Sequence, residues 1–332
     1  MAMKSLRFAG NSRVELVEVP QPEPADGEML IRVRASGLCG SEMGAFRSEK
    51  GLAGNSGHEF AGEVVAPNGQ PGFAEGDRVG VHIIIGCGEC RYCHADLAIF
   101  CERQSFCTGA HAEYMAAPAR HCVKLPDDVD WPTGVLIAGD AMGVAYHLAD
   151  RVGIRGHDAV AVIGCGPIGL GNVLLLDFYG ARPLAADISA DRLRLAWQLG
   201  ATVSVNPQEV DAVKVLRDLT GGEGPDVCYE CTGRPEGVSL AFEACKKGGK
   251  IGIVGEQPEA CFNPSRDLIH KELTVYGAWY WRMCEFYEMV KLVREGLKVK
   301  RIITHELPLE EAQQAYDLMT AAKCGKIVFR QW

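Results

Sequence analysis

The chain has 332 residues, which is enough for two domains that each bury a core. Hydrophobic residues make up 47% and charged residues 23% of the chain; these are globular values and exclude a disordered or fibrous protein. The formal net charge of −9 argues against nucleic-acid and anionic-membrane partners, because both need basic surface.

The amino-terminal segment contains no apolar core of a secretory signal, and no apolar run approaches the ~20 residues that span a bilayer. We therefore expect a cytoplasmic protein without a membrane partner. In a reducing compartment, the 14 cysteines are expected to be metal ligands or small buried residues rather than disulfides.

The first 145 residues predict a mostly β module. Alternating and β-branched residues predict strands over Val14–Val19, Leu30–Arg34, Glu59–Ala66, Arg78–Ile85 and Ala112–Ala116. Turn signals, such as Asn68-Gly69, separate them.

From about Gly153 the pattern changes to alternating strands and helices. The predicted strands are Asp158–Gly164, Pro183–Asp187, Val203–Asn206, Asp226–Glu230 and Lys250–Gly255. The predicted helices between them are Gly166–Gly180, Asp191–Gly200, Val210–Leu219 and Val238–Cys245. Units of this length favour a parallel, doubly wound sheet, so the fold class is α/β.

After about Leu273 the pattern loosens into helices near Cys284–Glu295 and Leu309–Ala321 and a last strand at Lys326–Arg330. We expect this tail to return to the first module. The predicted organisation is a catalytic domain over residues 1–145, a dinucleotide-binding domain over 146–277 and a return segment over 278–332.

A glycine-rich turn marks the predicted dinucleotide site. In the run Gly164-Cys165-Gly166-Pro167-Ile168-Gly169, which follows a strand and opens a helix, Gly164 allows the tight turn and Gly166 lets backbone approach a pyrophosphate. Gly169 permits close packing of helix on strand. A turn needed only for packing is the alternative.

Asp187 lies 18 residues beyond Gly169, at the end of the next predicted strand. A carboxylate there accepts hydrogen bonds from ribose hydroxyls and repels a 2′-phosphate. Ile188 and Ser189 follow it instead of the Arg or Lys that favours NADP, and Arg192 could flank the adenine ribose. The predicted cofactor is NAD.

Four closely spaced cysteines predict a structural metal site in a lobe over residues 86–107. Cys87, Cys90, Cys93 and Cys101 have the spacing C-x2-C-x2-C-x7-C. Four thiolates can surround one tetrahedral Zn²⁺ and leave no open position. Disulfides and an iron–sulfur cluster are the alternatives.

A second, dispersed set consists of Cys39, which follows a strand, and His58-Glu59, which precedes another. Cys, His and a carboxylate are plausible ligands of a catalytic zinc, which needs three protein ligands and one open position.

With these motifs in place, the chain resembles the zinc-containing medium-chain alcohol dehydrogenases, in the branch of the sorbitol and threonine dehydrogenases. The match runs essentially end to end. It is carried by Gly37-Leu38-Cys39-Gly40-Ser41, residues 57–64 (GHEFAGEV), Gly76-Asp77-Arg78-Val79, the four-cysteine lobe, Ala112-Glu113-Tyr114, residues 123–126 (VKLP) and the glycine turn. The resemblance implies a GroES-like catalytic domain, a Rossmann domain, and a homodimer or homotetramer joined through the nucleotide domains.

The resemblance also implies a catalytic zinc held by Cys39 and His58, giving two zinc ions per chain with the lobe. A carboxylate is implied as the third ligand, and both Glu59 and Asp140 are candidates. We favour Asp140 as direct or water-bridged ligand, with Glu59 alternating.

The implied reaction interconverts a secondary alcohol (a polyol, sugar, cyclitol or amino-alcohol) and its ketone. Zinc would polarise the substrate oxygen, NAD would take the hydride, and Ser41 would accept the alcohol proton. Two positions depart from the family pattern: Gly44 stands where relatives carry the relay histidine, and Glu42 replaces an aspartate. Water, the ribose hydroxyls or another residue would then carry the proton.

Other patterns are interpreted mainly as packing or hydrogen bonding. Cys228 and Cys231 are expected to pack rather than to form a redox pair, and His94, His111 and His147 to make local hydrogen bonds. The run Trp279-Tyr280-Trp281 is either hinge packing or part of the pocket wall.

Two rival functions are a zinc-free enone or quinone reductase that uses NAD(P)H, and a non-enzymatic binding protein on the same scaffold. Cys39, His58 and the cysteine lobe oppose the first, and the intact set of Cys39, Ser41, His58 and Asp187 opposes the second.

Overall fold

The computed structural model describes residues 1–331, and these residues form two large sheets. The strands are β1 (Ala2–Gly10), β2 (Arg13–Pro20), β3 (Glu28–Gly37), β4 (Glu59–Ala66), β5 (Arg78–Val81), β6 (Ile84–Ile85), β7 (Ser105–Phe106), β8 (Tyr114–Pro118), β9 (Cys122–Lys124), β10 (Ala159–Ile163), β11 (Arg182–Ala186), β12 (Val203–Val205), β13 (Val227–Glu230), β14 (Lys250–Ile253), β15 (Thr274–Gly277), β16 (Ile303–Pro308) and β17 (Lys326–Arg330).

The α-helices occur in both halves of the chain, and α5 to α8 connect successive strands of the second sheet from β10 to β14. They are α1 (Met43–Arg47), α2 (Arg91–His94), α3 (Trp131–Ile137), α4 (Asp140–Val152), α5 (Pro167–Phe178), α6 (Ala190–Gln198), α7 (Ala212–Asp218), α8 (Pro235–Ala244), α9 (Glu285–Arg294) and α10 (Ala312–Thr320). Within residues 1–331, no helix has both the length and the apolar character needed to cross a membrane.

The first sheet has the order β16-β17-β3-β4-β5-β9, and β8 also pairs with β3. β17 is antiparallel to β3, with Val328 opposite Gly37, and β4 is antiparallel to β3 on its other side, with Glu59 opposite Gly37. The carboxyl end of β3 therefore lies between the start of β4 and the first residues of β17. The tail returns to the first module, as the sequence predicts.

The second sheet is parallel throughout and has the order β12-β11-β10-β13-β14-β15. Helices connect its successive strands over most of its length, and the order reverses beside β10. In such sheets a ligand crevice opens at the carboxyl ends of the strands at this reversal. The α/β fold class and the doubly wound sheet are confirmed.

Two predicted elements differ in the structure. The strand expected over Arg78–Ile85 is two strands, because β5 ends at Val81 and Ile84–Ile85 pairs with β7 in a separate two-stranded sheet. The strand expected over Ala112–Ala116 is shifted to Tyr114–Pro118. The sequence analysis also missed the strands β1, β7, β9, β15 and β16 and the helices α1 to α4.

Helix α4 lies in the chain between β9, the last strand of the β1–β9 segment, and β10, the first strand of the second sheet. Gly143 sets how closely this helix packs against Trp281. Trp281 is fully buried against it, and a Cβ atom on Gly143 would lie 2.3 Å from Trp281 Cδ1. A methyl group at this position therefore forces the indole or the helix to move.

We expect Gly143→Ala to destabilise the protein by about 1–3 kcal/mol, although alanine is the better helix former, because overpacking outweighs propensity at a buried contact. Urea unfolding measures the difference. Gly44→Ala is the matched control, since a Cβ on Gly44 in α1 meets nothing within 4 Å. Equal effects of the two substitutions would contradict the packing argument.

Candidate active site

Four potential metal ligands from three segments converge beside the carboxyl end of β3. Cys39 follows β3, His58 and Glu59 lie at the start of β4, and Asp140 begins α4. One ligand atom from each residue lies within 4.8 Å of the other three. Cys39, His58 and Glu59 are buried, and Asp140 is half-buried.

Asp140 makes the closest contacts within this cluster. Its Oδ2 atom is 3.0 Å from Cys39 Sγ and 3.4 Å from His58 Nε2. His58 Nδ1 donates to Ser56 O at 2.8 Å, which fixes the ring so that Nε2 faces the cluster. Two potentially anionic groups this close must share a proton or a cation, and a thiolate, an imidazole and a carboxylate are a ligand set that suits zinc.

The pKa shifts within the cluster also indicate that a positive charge stabilises it. Burial, reinforced by Asp140, raises the pKa of the Cys39 thiol to about 11. Burial opposes the charged form of His58, but hydrogen bonds that it donates to Asp140 and Cys39 raise its pKa well above the usual range. Against the effect of burial, the hydrogen bond with His58 lowers the pKa of Asp140. Metal binding here would therefore release protons.

A buried lysine faces the fourth member of the cluster. Lys326 Nζ donates to Glu59 Oε1, and the two side chains are 1% and 0% exposed. Glu59 Oε2 is buried without a hydrogen-bond partner among the described residues. One oxygen of this carboxylate is thus committed to Lys326, while the other is free for a cation.

Sequence reasoning missed Lys326. The available signal was a lysine at the first position of an otherwise apolar strand, where long charged side chains are rarely buried without a partner.

Glu42 does not belong to the ligand cluster; it holds the backbone of the loop that carries Cys39. Its Oε1 accepts from Cys39 N (2.9 Å), and its Oε2 accepts from His111 Nε2 (3.0 Å) and from the Tyr316 hydroxyl (2.8 Å). Burial opposes ionisation of Glu42, yet His111 holds its pKa at about 2. His111 Nδ1 in turn contacts Ser36 Oγ at 2.9 Å.

The two positions of the expected proton relay lie at the solvent side of this loop. Ser41 is exposed, and its hydroxyl donates to Cys39 Sγ at 3.3 Å. Gly44 is also exposed, and the space around it within 4 Å of a Cβ position is open.

A cleft of about 680 Å³ extends from the cluster of four potential metal ligands to the glycine turn. Its walls include Ile83, Ile84, Phe106, Thr108, Trp279, Tyr280, Gly166, Pro167, Ile168, Arg192, Thr232 and Val254. Potential ligands and the predicted dinucleotide turn therefore open into one continuous space. The wall residues from 83 to 108 were not identified from the sequence, because they come from separate loops.

The glycine turn has the geometry that its pattern predicts. Gly164 has φ +93°, and a Cβ on Gly169 would lie 1.8 Å from Gly164 O, so the helix packs directly on the turn. Gly166 and Pro167 begin α5, whose first backbone N–H groups lack helical acceptors.

Asp187 is anchored against this turn. Its Oδ2 accepts from Cys165 N (2.6 Å), and its Oδ1 accepts from Ser189 N (2.8 Å). Each oxygen retains a further lone pair for a ribose hydroxyl. Arg192, in the first turn of α6, lines the cleft, and its Nε is buried without a partner in the described part of the chain.

The four-cysteine lobe also suits zinc. Cys93 Sγ lies 3.5 Å from Cys90 Sγ and 3.9 Å from Cys87 Sγ, and Cys101 Sγ accepts from Cys87 N at 3.3 Å. Four sulfurs about 2.3 Å from one ion at tetrahedral angles lie about 3.8 Å apart. Backbone N–H groups, first that of Glu89, lower the pKa of Cys87 to about 6, which favours the thiolate ligand.

The remaining sequence patterns are placed as follows. Cys228 is buried in β13, whereas Cys231 lines the cleft. His147 Nδ1 contacts Glu285 Oε1 at 2.8 Å, a local hydrogen bond as expected. In the aromatic run, Trp279 and Tyr280 line the cleft, and Trp281 is packed in the core.

Two family models match the chain. The alcohol dehydrogenase GroES-like domain matches residues 25–127, and the zinc-binding dehydrogenase model matches residues 167–295.

Curated relatives match nearly the full length. The uncharacterised zinc-type alcohol dehydrogenase-like protein YphC of Escherichia coli is 34% identical and covers 98% of both chains. An L-threonine 3-dehydrogenase of Coxiella burnetii is 32% identical over 94% of both chains.

Solved structures agree with this match. The alcohol dehydrogenase TADH from Thermus sp. ATN1 has a TM-score of 0.93 at 30% identity, covering 99% of this chain and 100% of its own. A zinc-binding dehydrogenase from Sinorhizobium meliloti bound to NADP has a TM-score of 0.87 at 28% identity and covers 100% of both chains.

We expect Lys326→Met to destabilise the protein by about 3–5 kcal/mol, because it leaves the buried carboxylate of Glu59 without its counter-charge. Adding Glu59→Gln to the same chain should recover most of the loss, and denaturant unfolding of both variants measures it. A double variant no more stable than Lys326→Met alone would show that the ion pair does not carry the effect.

Proposed function

The chain belongs to the zinc-containing medium-chain alcohol dehydrogenase family, in its sorbitol and threonine dehydrogenase branch, and we propose that it interconverts a secondary alcohol and its ketone with NAD. It is a zinc- and NAD(P)-dependent oxidoreductase. The specific proposals concern the ligand set, the preference for NAD and the class of alcohol.

One observation carries the proposal. The cluster of Cys39, His58, Glu59 and Asp140 opens into the same cleft as the glycine turn at Gly166. An alcohol bound at the cluster can therefore approach a nicotinamide that extends from the turn, which is the proximity that hydride transfer needs.

We assign the catalytic zinc to Cys39, His58 and Asp140. Asp140 Oδ2 faces both of the other ligands, whereas Glu59 is engaged by Lys326. The free Oε2 of Glu59 makes it an alternating ligand. When bound, zinc supplies a Lewis acid for the substrate oxygen, and the nicotinamide cofactor supplies the hydride acceptor.

Ser41 is the chain's own candidate to take the alcohol proton. Its hydroxyl lies beside Cys39 Sγ at the solvent side of the loop, so a proton accepted there can pass to water. Gly44 has no side chain to receive it. We infer that solvent or a cofactor hydroxyl completes the path, which makes an imidazole at this position unnecessary.

The cleft walls favour a substrate with several hydrogen-bonding groups. Phe106 and Trp279 meet edge to face with ring centroids 6.5 Å apart, and Ser56 and Thr108 add hydroxyls. Aromatic faces bordered by hydroxyls suit polyols, cyclitols, sugars and amino-alcohols.

The preference for NAD rests on Asp187. Its carboxylate is held beside the turn by two backbone N–H groups, so it cannot easily swing away from a 2′-phosphate. A fixed negative charge there favours the unphosphorylated ribose.

The second zinc is assigned to Cys87, Cys90, Cys93 and Cys101, whose sulfurs all lie within 4.8 Å of one another. For assembly, we propose a homodimer or homotetramer joined through the nucleotide-binding sheet. Strand β15 is the last strand of that sheet, and Val275 on it is 41% exposed.

We expect about two zinc ions per chain by elemental analysis of the purified protein. Cys39→Ala should lower the content to about one, abolish alcohol oxidation and leave NAD binding and circular dichroism unchanged. Cys90→Ser is the matched variant for the other site: it should also lose one zinc, but with a less stable lobe. A zinc-free wild type, or normal turnover in Cys39→Ala, would refute these assignments.

Cofactor choice should respond to Asp187. The pair of substitutions Asp187→Ser and Ile188→Arg should raise the ratio of kcat/KM for NADP over NAD by at least about 10-fold, because a repulsive charge is removed and a phosphate partner is added. Ile188→Arg alone is the control, since Ile188 is already 61% exposed. An unchanged ratio in the double variant removes Asp187 from the ribose site.

A further inference from the structure

His111 is a fully buried residue whose hydrogen bonds reach two loops of the candidate metal site. Its ring nitrogen Nε2 lies 3.0 Å from Glu42 Oε2, and its Nδ1 lies 2.9 Å from Ser36 Oγ. Its backbone N–H donates to Asn55 Oδ1 at 3.1 Å. These partners lie 56 to 75 residues away in the sequence, so this histidine joins separate segments rather than its own neighbourhood.

One arm of this network ends at Cys39. Glu42 Oε1 accepts from Cys39 N at 2.9 Å, while its Oε2 faces His111 Nε2. The Tyr316 hydroxyl also donates to Oε2, at 2.8 Å. Because an ionised carboxylate only accepts hydrogen bonds, Nε2 of His111 is the donor in its contact with Glu42. The direction in which the buried Glu42 side chain holds the Cys39 backbone therefore depends on His111.

The other arm ends beside His58. Asn55 Oδ1 accepts from His111 N and from Gly57 N, each at 3.1 Å. Asn55 Nδ2 also donates to His111 O at 3.3 Å, so the amide is held at both of its ends. A Cβ atom on Gly57 would lie 2.6 Å from His111 Cδ2. The imidazole therefore packs directly on the backbone that leads into His58.

The return segment also contacts the His111 ring. Phe329 of β17 meets the ring edge to face, with ring centroids 4.9 Å apart. His111 lies outside the set of four potential ligands, so its influence on a bound ion passes through the two loops. Groups behind metal ligands fix the direction of the ligand atoms, and their loss typically lowers metal affinity by about 10- to 100-fold.

We propose that His111 is a positioning residue that couples the loop of Cys39 to the loop of His58 and so fixes the geometry of the catalytic metal site. This inference rests on the metal assignment within the proposed function, and it makes retention of the ion depend on a residue outside the cluster. The hydrogen bond with Glu42 transmits the constraint to one loop. The contacts with residues 55–57 transmit it to the other.

The test compares two amides at position 111. His111→Gln can place its Nε2 where the imidazole Nε2 faces Glu42, whereas the shorter His111→Asn reaches only the position of Nδ1. Competition of the zinc-loaded proteins with a chromophoric chelator measures the affinity of each site, and Cys90→Ser identifies the signal of the four-cysteine lobe. We expect His111→Asn to lower the zinc affinity of the catalytic site by about 10- to 100-fold and to leave the lobe unchanged. His111→Gln should stay within about threefold of the wild type.

Two further variants separate positioning from a general loss of stability. Glu42→Gln keeps the volume of the side chain but turns an amide NH₂ group toward one of its donors, so it breaks the same link from the other end and should match His111→Asn. Tyr316→Phe removes the other side-chain donor to Glu42 and leaves the two loops joined through His111. It is the matched control and should lower the zinc affinity by less than about threefold.

Cobalt provides a spectroscopic measurement of the same geometry. Co²⁺ can replace zinc among ligands of this kind, and its visible absorption depends on how they are arranged around it. With Co²⁺ in the catalytic site, we expect the spectrum to change in His111→Asn and Glu42→Gln. It should match the wild type in His111→Gln and Tyr316→Phe.

The zinc affinities and the cobalt spectra decide the outcome. Unchanged values in His111→Asn and Glu42→Gln, or an equal loss of zinc from both sites, overturn the role of His111. A wild type that binds zinc at the cluster but oxidises no secondary alcohol overturns the proposed reaction alone, because affinity and spectrum still test the positioning of the ligands. A wild type that binds no zinc at the cluster overturns both.

Discussion

The buried ion pair between Lys326 and Glu59 is the constraint on which the site depends. Three strands meet in a fixed register, with Gly37 of β3 opposite both Glu59 of β4 and Val328 of β17. That register places a positive charge from one end of the chain against a cluster of acidic ligands from the other. Without Lys326, the low-dielectric interior would contain three acidic groups and only the His58 imidazole to balance their charge.

The same arrangement links the cluster of potential metal ligands to the predicted dinucleotide site. Asp140 begins α4, which packs against α3, α5 and α9, and α5 begins at the glycine turn. The ligand that closes the metal cluster is therefore carried by the element that also positions the dinucleotide site. Packing of Trp281 on Gly143 then fixes the position of α4 next to the cleft wall formed by Trp279 and Tyr280.

Much of this architecture could be predicted from the sequence because its signals are local. The alternation of strands and helices, the glycine turn and the spacing of Cys87 to Cys101 each lie within a short stretch. The position of Lys326 in an apolar strand was a usable signal of burial, but its partner could not be predicted, because Glu59 lies 267 residues away. The break at His82 was missed for a related reason: the His82 side chain hydrogen-bonds to the carbonyl oxygen of Trp281, 199 residues away. Departures from the family pattern at Glu42 and Gly44 were visible, but the network that Glu42 forms with His111 and Tyr316 was not.

Because the chain is synthesised from its amino terminus, Lys326 is made after all the residues whose charge it balances. A chain emerging from the ribosome presents Cys39, His58, Glu59 and Asp140 long before the segment that balances their charge. Until β17 has been made and has paired with β3, the cluster consists of ligands without a closed wall. Closure of the site therefore has to wait for β17, and a chain interrupted before this strand has the four candidate ligands without the counter-charge of Lys326.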